Sequence, residues 1–146
     1  MKKSFLHVIG ISYKKASASV RGKFSLDMLN SKEVILEAKK SGIESIIINS
    51  TCNRVEIYAQ SNDHKVLIKL LCKHSLGSES DFKSCGYVKS GDAAINHIFR
   101  VGTGLDSQIL GDFEIIAQMR QSFKRSKELK VINPYFDRLF SSVMQA

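Results

Sequence analysis

The chain has 146 residues, 43% of them hydrophobic, enough to build a core within a single domain and too apolar for a disordered segment. Its longest apolar runs are a few residues, such as Ile46-Ile47-Ile48, far short of the roughly 20 a membrane span needs. The basic start Met1-Lys2-Lys3 is not followed by the apolar stretch of a secretory signal. Three cysteines with no C-x-x-C pair exclude a disulfide scaffold or a zinc ribbon and point to a reducing cytoplasm. The net charge is +8, and it is unevenly placed. Residues 1–40 carry nine Lys/Arg against three acids, residues 41–119 seven against nine, and residues 120–146 six against two. Basic ends around a near-neutral middle suit a protein that lays its flanks on a polyanion, and equally a solvated surface without a partner.

In chain order, Phe5 to Ile11 reads as a first strand, and Ser12 to Ser25 as a polar connection. Leu26 to Lys40 has helical spacing of Leu26, Met28, Leu29, Val34, Ile35 and Ala38, with Ser25 as the N-cap and Gly42 beyond the end. Glu44 to Asn49 carries the β-branched run of a strand buried on both faces. In the next strand Val55, Ile57 and Ala59 alternate with Glu56, Tyr58 and Gln60, which predicts one covered face. Asp63 opens a helix with the stripe Val66, Leu67, Leu70 and Leu71, and a weak strand follows around Tyr87 and Val88. The order β-α-β-β-α-β predicts an α+β, ferredoxin-like sheet. Further helices are expected at Asp92–Val101, from about Asp112 to Lys130, and from Pro134 behind the cap Asn133. That last helix still presents Phe136, Leu139, Phe140, Val143 and Met144 as the chain stops, which suggests a piece of a longer protein.

The segment Asn49-Ser50-Thr51-Cys52-Asn53-Arg54 is short and polar between two apolar strands, so it belongs at the rim of the sheet. A thiol there, flanked by Thr51, Asn53 and the guanidinium of Arg54, is a candidate nucleophile; the alternative is a small packing cysteine. Cys72 and Cys85 lie beside helix and strand faces and read as packing residues.

The run from Asn49 to Tyr58 resembles the S-T-C-N-R-x-E-I-Y signature of the glutamyl-tRNA reductase family. A second run, His97-Ile98-Phe99-Arg100-Val101-Gly102-Thr103-Gly104-Leu105-Asp106-Ser107-Gln108-Ile109-Leu110-Gly111, is similar to that family's H-L-F-R-V-A-S-G-L-D-S-x-x-L-G block. The first strand and Arg21 fit as well, so the resemblance covers residues 1–146 as the family's N-terminal catalytic domain.

The resemblance implies NADPH-dependent reduction of glutamyl-tRNA(Glu) to glutamate-1-semialdehyde, a first step of tetrapyrrole and haem synthesis. Cys52 would be the catalytic nucleophile that holds glutamate as a thioester. His97 would be a second catalytic residue, for proton transfer or for positioning the ester. Thr51, Asn53, Arg54 and Ser107 would contact substrate, with Arg54 as a carboxylate clamp. Where the family reads G-E-P-Q-I-L-G-Q, this chain has Gly111-Asp112-Phe113-Glu114-Ile115-Ile116-Ala117-Gln118, so Asp112 and Gln118 keep their character while Phe113 and Glu114 depart from it. The family's NADPH-binding and dimerising domains would lie outside this chain. Homodimerisation and handover to glutamate-1-semialdehyde aminomutase are further implications of the resemblance.

Gly102-Thr103-Gly104 begins like a dinucleotide fingerprint, but Ser107 stands where the third glycine belongs and a helix precedes it. The basic segment Arg120, Lys124, Arg125, Lys127 and Lys130 is a candidate RNA-backbone contact. Two other readings are an RNA-binding module, which needs exposed strand aromatics and has only Tyr58, and a stand-alone cysteine hydrolase or acyltransferase using Cys52 and His97. Cys52, Cys72, His74 and Cys85 have no metal-ligand spacing.

Overall fold

A computed structural model describes residues 5–106 and 113–146. The elements are β1 (Phe5–Ser12), α1 (Ala18–Phe24), α2 (Met28–Lys40), β2 (Ser45–Ser50), β3 (Arg54–Ser61), α3 (His64–His74), α4 (Glu79–Cys85), β4 (Tyr87–Ser90), α5 (Asp92–Gly102), α6 (Phe113–Glu128) and α7 (Pro134–Gln145). The four strands form one sheet in the order β2-β3-β1-β4. Every neighbouring pair is antiparallel. This is the ferredoxin-like arrangement expected from the order of elements, with three further helices after it.

The period-two side-chain alternation of the strands feeds two cores. On one face Ile9, Ile11, Ile46, Ile48, Val55 and Ile57 pack against Val34, Ile35 and Ala38 of α2 and Leu67, Leu70 and Leu71 of α3. On the other face Leu6, Val8, Ile47 and Tyr58 meet Ile98 and Val101 of α5, Met119 and Phe123 of α6, and Phe136, Phe140 and Val143 of α7. The sheet is therefore the middle of three layers. The loop between α6 and α7 also covers the outer edge of β2: Ile46 N donates to Val131 O at 3.1 Å and Asn133 N to Ser45 Oγ at 2.8 Å.

Five expectations change. The polar connection before residue 26 contains α1, capped by Ser17, whose seven residues bury only Phe24 and so carry almost no periodic signal. Helix α2 begins behind Asp27, whose Oδ1 accepts from Asn30 N at 2.7 Å, and Ser25 instead ends α1. Helix α4 is again seven residues, about two turns, around one buried residue, Phe82. In β3 the polar face is buried too, at Arg54, Glu56 and Tyr58, because α5, α6 and α7 cover it. Alternation reports that the two faces differ in chemistry, not that one of them is wet. The apolar face of α7 is likewise covered within this chain, where Phe136, Leu139, Phe140 and Val143 are buried. The other expectations for α7 hold, with Asn133 as cap and Pro134 in the first turn. No helix among the described residues is long and apolar enough to cross a membrane.

Candidate active site

Strands β2 and β3 form a hairpin, in register from Ser45↔Gln60 to Ser50↔Val55, and the three residues between them are Thr51, Cys52 and Asn53. Thr51 holds the turn shut. Its Oγ1 accepts from the backbone N–H groups of Asn53 and Arg54, both at 3.2 Å, while its own N–H donates to Arg54 O at 2.8 Å. Neighbouring segments hold it from outside. Tyr13 N donates to Asn53 O at 2.9 Å, and Arg21 Nε donates to Cys52 O at 3.1 Å. A second bond, Arg21 Nη1 to Ala16 O at 2.6 Å, fixes the guanidinium that reaches the turn.

Cys52 is exposed, whereas Cys72 and Cys85 are half-buried. Burial, and then nearby carboxylates, push both of those thiols up, which suits packing residues. Cys52 opens into a small cleft of about 40 Å³ lined by Thr51, Asn53, Arg54, Glu114, Ile115 and Gln118. The start of α6 thus delivers Glu114 and Gln118 to the cysteine turn. Ser107 and Asp112 lie outside the described residues, and Phe113 enters only as the first residue of α6.

Behind the cleft lies a buried polar network, assembled from residues far apart in the chain. Arg54 is fully buried, and its guanidinium is already held: Nη1 donates to Asp106 Oδ2 at 3.1 Å and lies 3.6 Å from Glu56 Oε1, and Nη2 donates to Asp106 O. Glu56 is fully buried too, and both of its oxygens are engaged. Tyr58 OH donates to Oε1 at 2.7 Å, and Tyr87 OH and His97 Nε2 both bond to Oε2. Lys14 Nζ closes the outer end on Asp106 Oδ1. Buried charge is tolerable only when matched in this way.

The charges follow from the geometry. Burial pushes the Glu56 carboxyl up, but the His97 hydrogen bond and charge, with Arg54 and Tyr58, hold it below the usual carboxylate range. Asp106 is similarly pushed up by burial and pulled below its ordinary value by Lys14 and Arg54. The Tyr87 hydroxyl is driven far up by burial and the Glu56 charge, so it stays a donor. Gly10 makes room for this cluster: a Cβ there would stand 2.8 Å from Glu56 Cγ and 3.0 Å from the Tyr87 hydroxyl.

The two residues expected to be catalytic are not brought into direct contact. His97, only 7% exposed, is a wall of a separate cavity and is tied to Glu56, while Cys52 faces the cleft. Arg54 lines the Cys52 cleft and its partner Asp106 lines the His97 cavity, so their pair joins the two. His97 shares the buried face of α5 with Ala94, Ile98 and Val101, the i, i+3, i+4, i+7 spacing of a core stripe, and its partner Glu56 lies on β3. The available signal was Arg54 and Glu56, opposite charges two apart on one strand face.

Tyr58 offers no stacking surface for a base, since it is buried with its hydroxyl on Glu56. Gly102 lies in the last turn of α5, where an added Cβ would strike Val143 Cγ1. It is a packing glycine between helices. Among the described residues no cluster of three or more His, Cys, Asp or Glu could hold a metal ion.

Comparison with known proteins agrees with this architecture. Residues 9–146 match the family model described as glutamyl-tRNA(Glu) reductase, N-terminal domain. A glutamyl-tRNA reductase 2 of Flavobacterium johnsoniae is 51% identical over 140 residues, which is 96% of this chain and 32% of that protein. The glutamyl-tRNA reductase of Flavobacterium psychrophilum is 50% identical over 99% of this chain and 35% of its own length. The solved glutamyl-tRNA reductase from Methanopyrus kandleri superposes with a TM-score of 0.80 at 24% identity, covering 99% of this chain and 33% of that one, and it establishes the fold. The chain spans about a third of the length of these relatives. It belongs to the glutamyl-tRNA reductase N-terminal domain family.

Proposed function

We propose that this chain carries the acylation half-reaction of a glutamyl-tRNA reductase in tetrapyrrole synthesis, with glutamyl-tRNA(Glu) as substrate. One observation supports this above the others: the one exposed cysteine among the described residues sits in a turn anchored from outside by Tyr13 and Arg21 and facing polar side chains from α6. In this reading the Cys52 Sγ attacks the ester carbonyl carbon as a thiolate. The tetrahedral oxyanion collapses, the bond to the terminal ribose oxygen breaks, and the freed oxygen takes a proton to leave uncharged tRNA and a Cys52 glutamyl thioester. Gln118, in the same cleft, is the neutral donor for the oxyanion.

His97 supplies or steers the proton. Glu56 engages Nε2, which leaves Nδ1 as the nitrogen available for that proton. Arg54, held by Asp106 and Glu56, positions Asn53 and Cys52 from below instead of clamping a substrate carboxylate. Reduction of the thioester needs NADPH in this reading, and no residue of this chain is assigned to it; the cofactor is held outside residues 1–146. Release of free tRNA from glutamyl-tRNA by the wild type, and its loss in Cys52→Ser, tests the half-reaction. Equal release by the variant would remove Cys52 from the mechanism.

A further inference from the structure

Beside the Cys52 cleft lies a larger cavity of about 480 Å³, walled by His97 and Tyr87. Its volume falls within the ~300–1,000 Å³ typical of ligand sites. Four cations line it from three separate elements: Lys14 and Lys15 from the loop after β1, Lys89 from β4 and Arg100 from α5. The one carboxylate among its described lining residues, Asp106, is already bound by Lys14 and Arg54. Lys15, Lys89 and Arg100 have no ion-pair partner among the described residues. Three unmatched cations converging on one concave wall repel one another, and a multivalent anion relieves that repulsion.

The basic face of α6 is a poorer match for the same ligand. Arg120 Nη2 is spent on Met144 O at 3.2 Å, and Lys127 pairs with Asp137 at 3.2 Å while lying over the Phe123 ring. We infer that the cavity, and not the α6 face, binds the phosphodiesters of the 3′-terminal nucleotides of the RNA substrate, with Lys15, Lys89 and Arg100 on the phosphates. This rests on the function proposed above and adds to it where the RNA lies: its last nucleotides pass His97 on the way to Cys52.

The test is fluorescence anisotropy with a labelled, uncharged single-stranded RNA ending in CCA, titrated with Cys52→Ser protein so that no chemistry intervenes. Lys15→Ala, Lys89→Ala and Arg100→Ala should each weaken binding roughly five- to tenfold at low salt. Each should also reduce the slope of log affinity against log salt by about 0.7. Lys89→Arg should retain the affinity, and Lys124→Ala and Lys130→Ala on the α6 side should leave affinity and slope unchanged. Inorganic phosphate should compete with the RNA more strongly than L-glutamate. Wild-type binding by the three cavity variants, a loss confined to the α6 variants, or displacement by glutamate but not phosphate would each overturn the inference. Because this assay needs no acylation, its outcome is independent of whether Cys52 forms a thioester.

Discussion

Arg54 and Asp106 are joined twice, once through Nη1 to the carboxylate at 3.1 Å and once through Nη2 to the backbone carbonyl. The first residue of β3 is thereby locked to the segment that follows α5, and the wall of the Cys52 cleft to the wall of the His97 cavity. Removing the carboxylate leaves a buried guanidinium short of a counter-charge, which typically costs about 3–5 kcal/mol. Asp106→Asn should therefore lower the unfolding free energy by about 3 kcal/mol in urea titration. Arg54→Lys should not be neutral either, since an ammonium cannot make both bonds of the planar fork.

The pH dependence of stability follows from the same carboxylates. Glu56 and Asp106 both titrate below their ordinary values of 4.5 and 3.8 in the folded protein. The stabilisation they provide is present in full above those values and is lost as pH falls through the lower folded ones. Urea midpoints measured from pH 7 to pH 3 should hold steady and then drop below about pH 4.5. Glu56→Gln should begin less stable and fall less steeply; an unchanged acid limb would contradict the network.

Gly10 sits where β1 passes under the Glu56 carboxylate. Gly10→Ala would place a methyl group 2.8 Å from both Glu56 Cγ and Val55 O, inside van der Waals contact. Overpacking of this kind costs about 1–3 kcal/mol. Thermal unfolding should show the loss, and the His97 ring resonances should shift because Glu56 must move.

Arg21 reaches the backbone of Cys52 itself, through Nε to the carbonyl at 3.1 Å. Arg21→Gln should slow transfer of glutamate to Cys52 on the order of tenfold by loosening the turn, while leaving the unfolding midpoint nearly unchanged. Arg54→Gln should lower both together, because Arg54 is buried and Arg21 is not.

Much of this fold is legible in the residues, and the failures share a cause. The apolar runs of β1 and β2, the alternation in β3 and the stripe of α3 each bury enough side chains to leave a trace in the sequence, and together they imply the ferredoxin-like sheet found. Helices α1 and α4 bury one residue apiece and leave none. At the site, Cys52, Thr51, Asn53 and Arg54 are contiguous and stand out as a polar turn between strands. The alternation of β3 puts Glu56 on the face that reads as solvent-facing. Its partners are Tyr87 and His97, 31 and 41 residues later, and no local pattern carries that information. Gln118 and Glu114 were legible only through the family resemblance, and the structure brings both to the cleft.

Intact-protein mass spectrometry after mixing the chain with glutamyl-tRNA and quenching in acid tests the thioester most directly. The expected result is a single glutamyl adduct on the wild type, released by hydroxylamine and missing from Cys52→Ser. An adduct of equal yield on Cys52→Ser, or tRNA release by the wild type that the variant matches, would contradict acylation of Cys52.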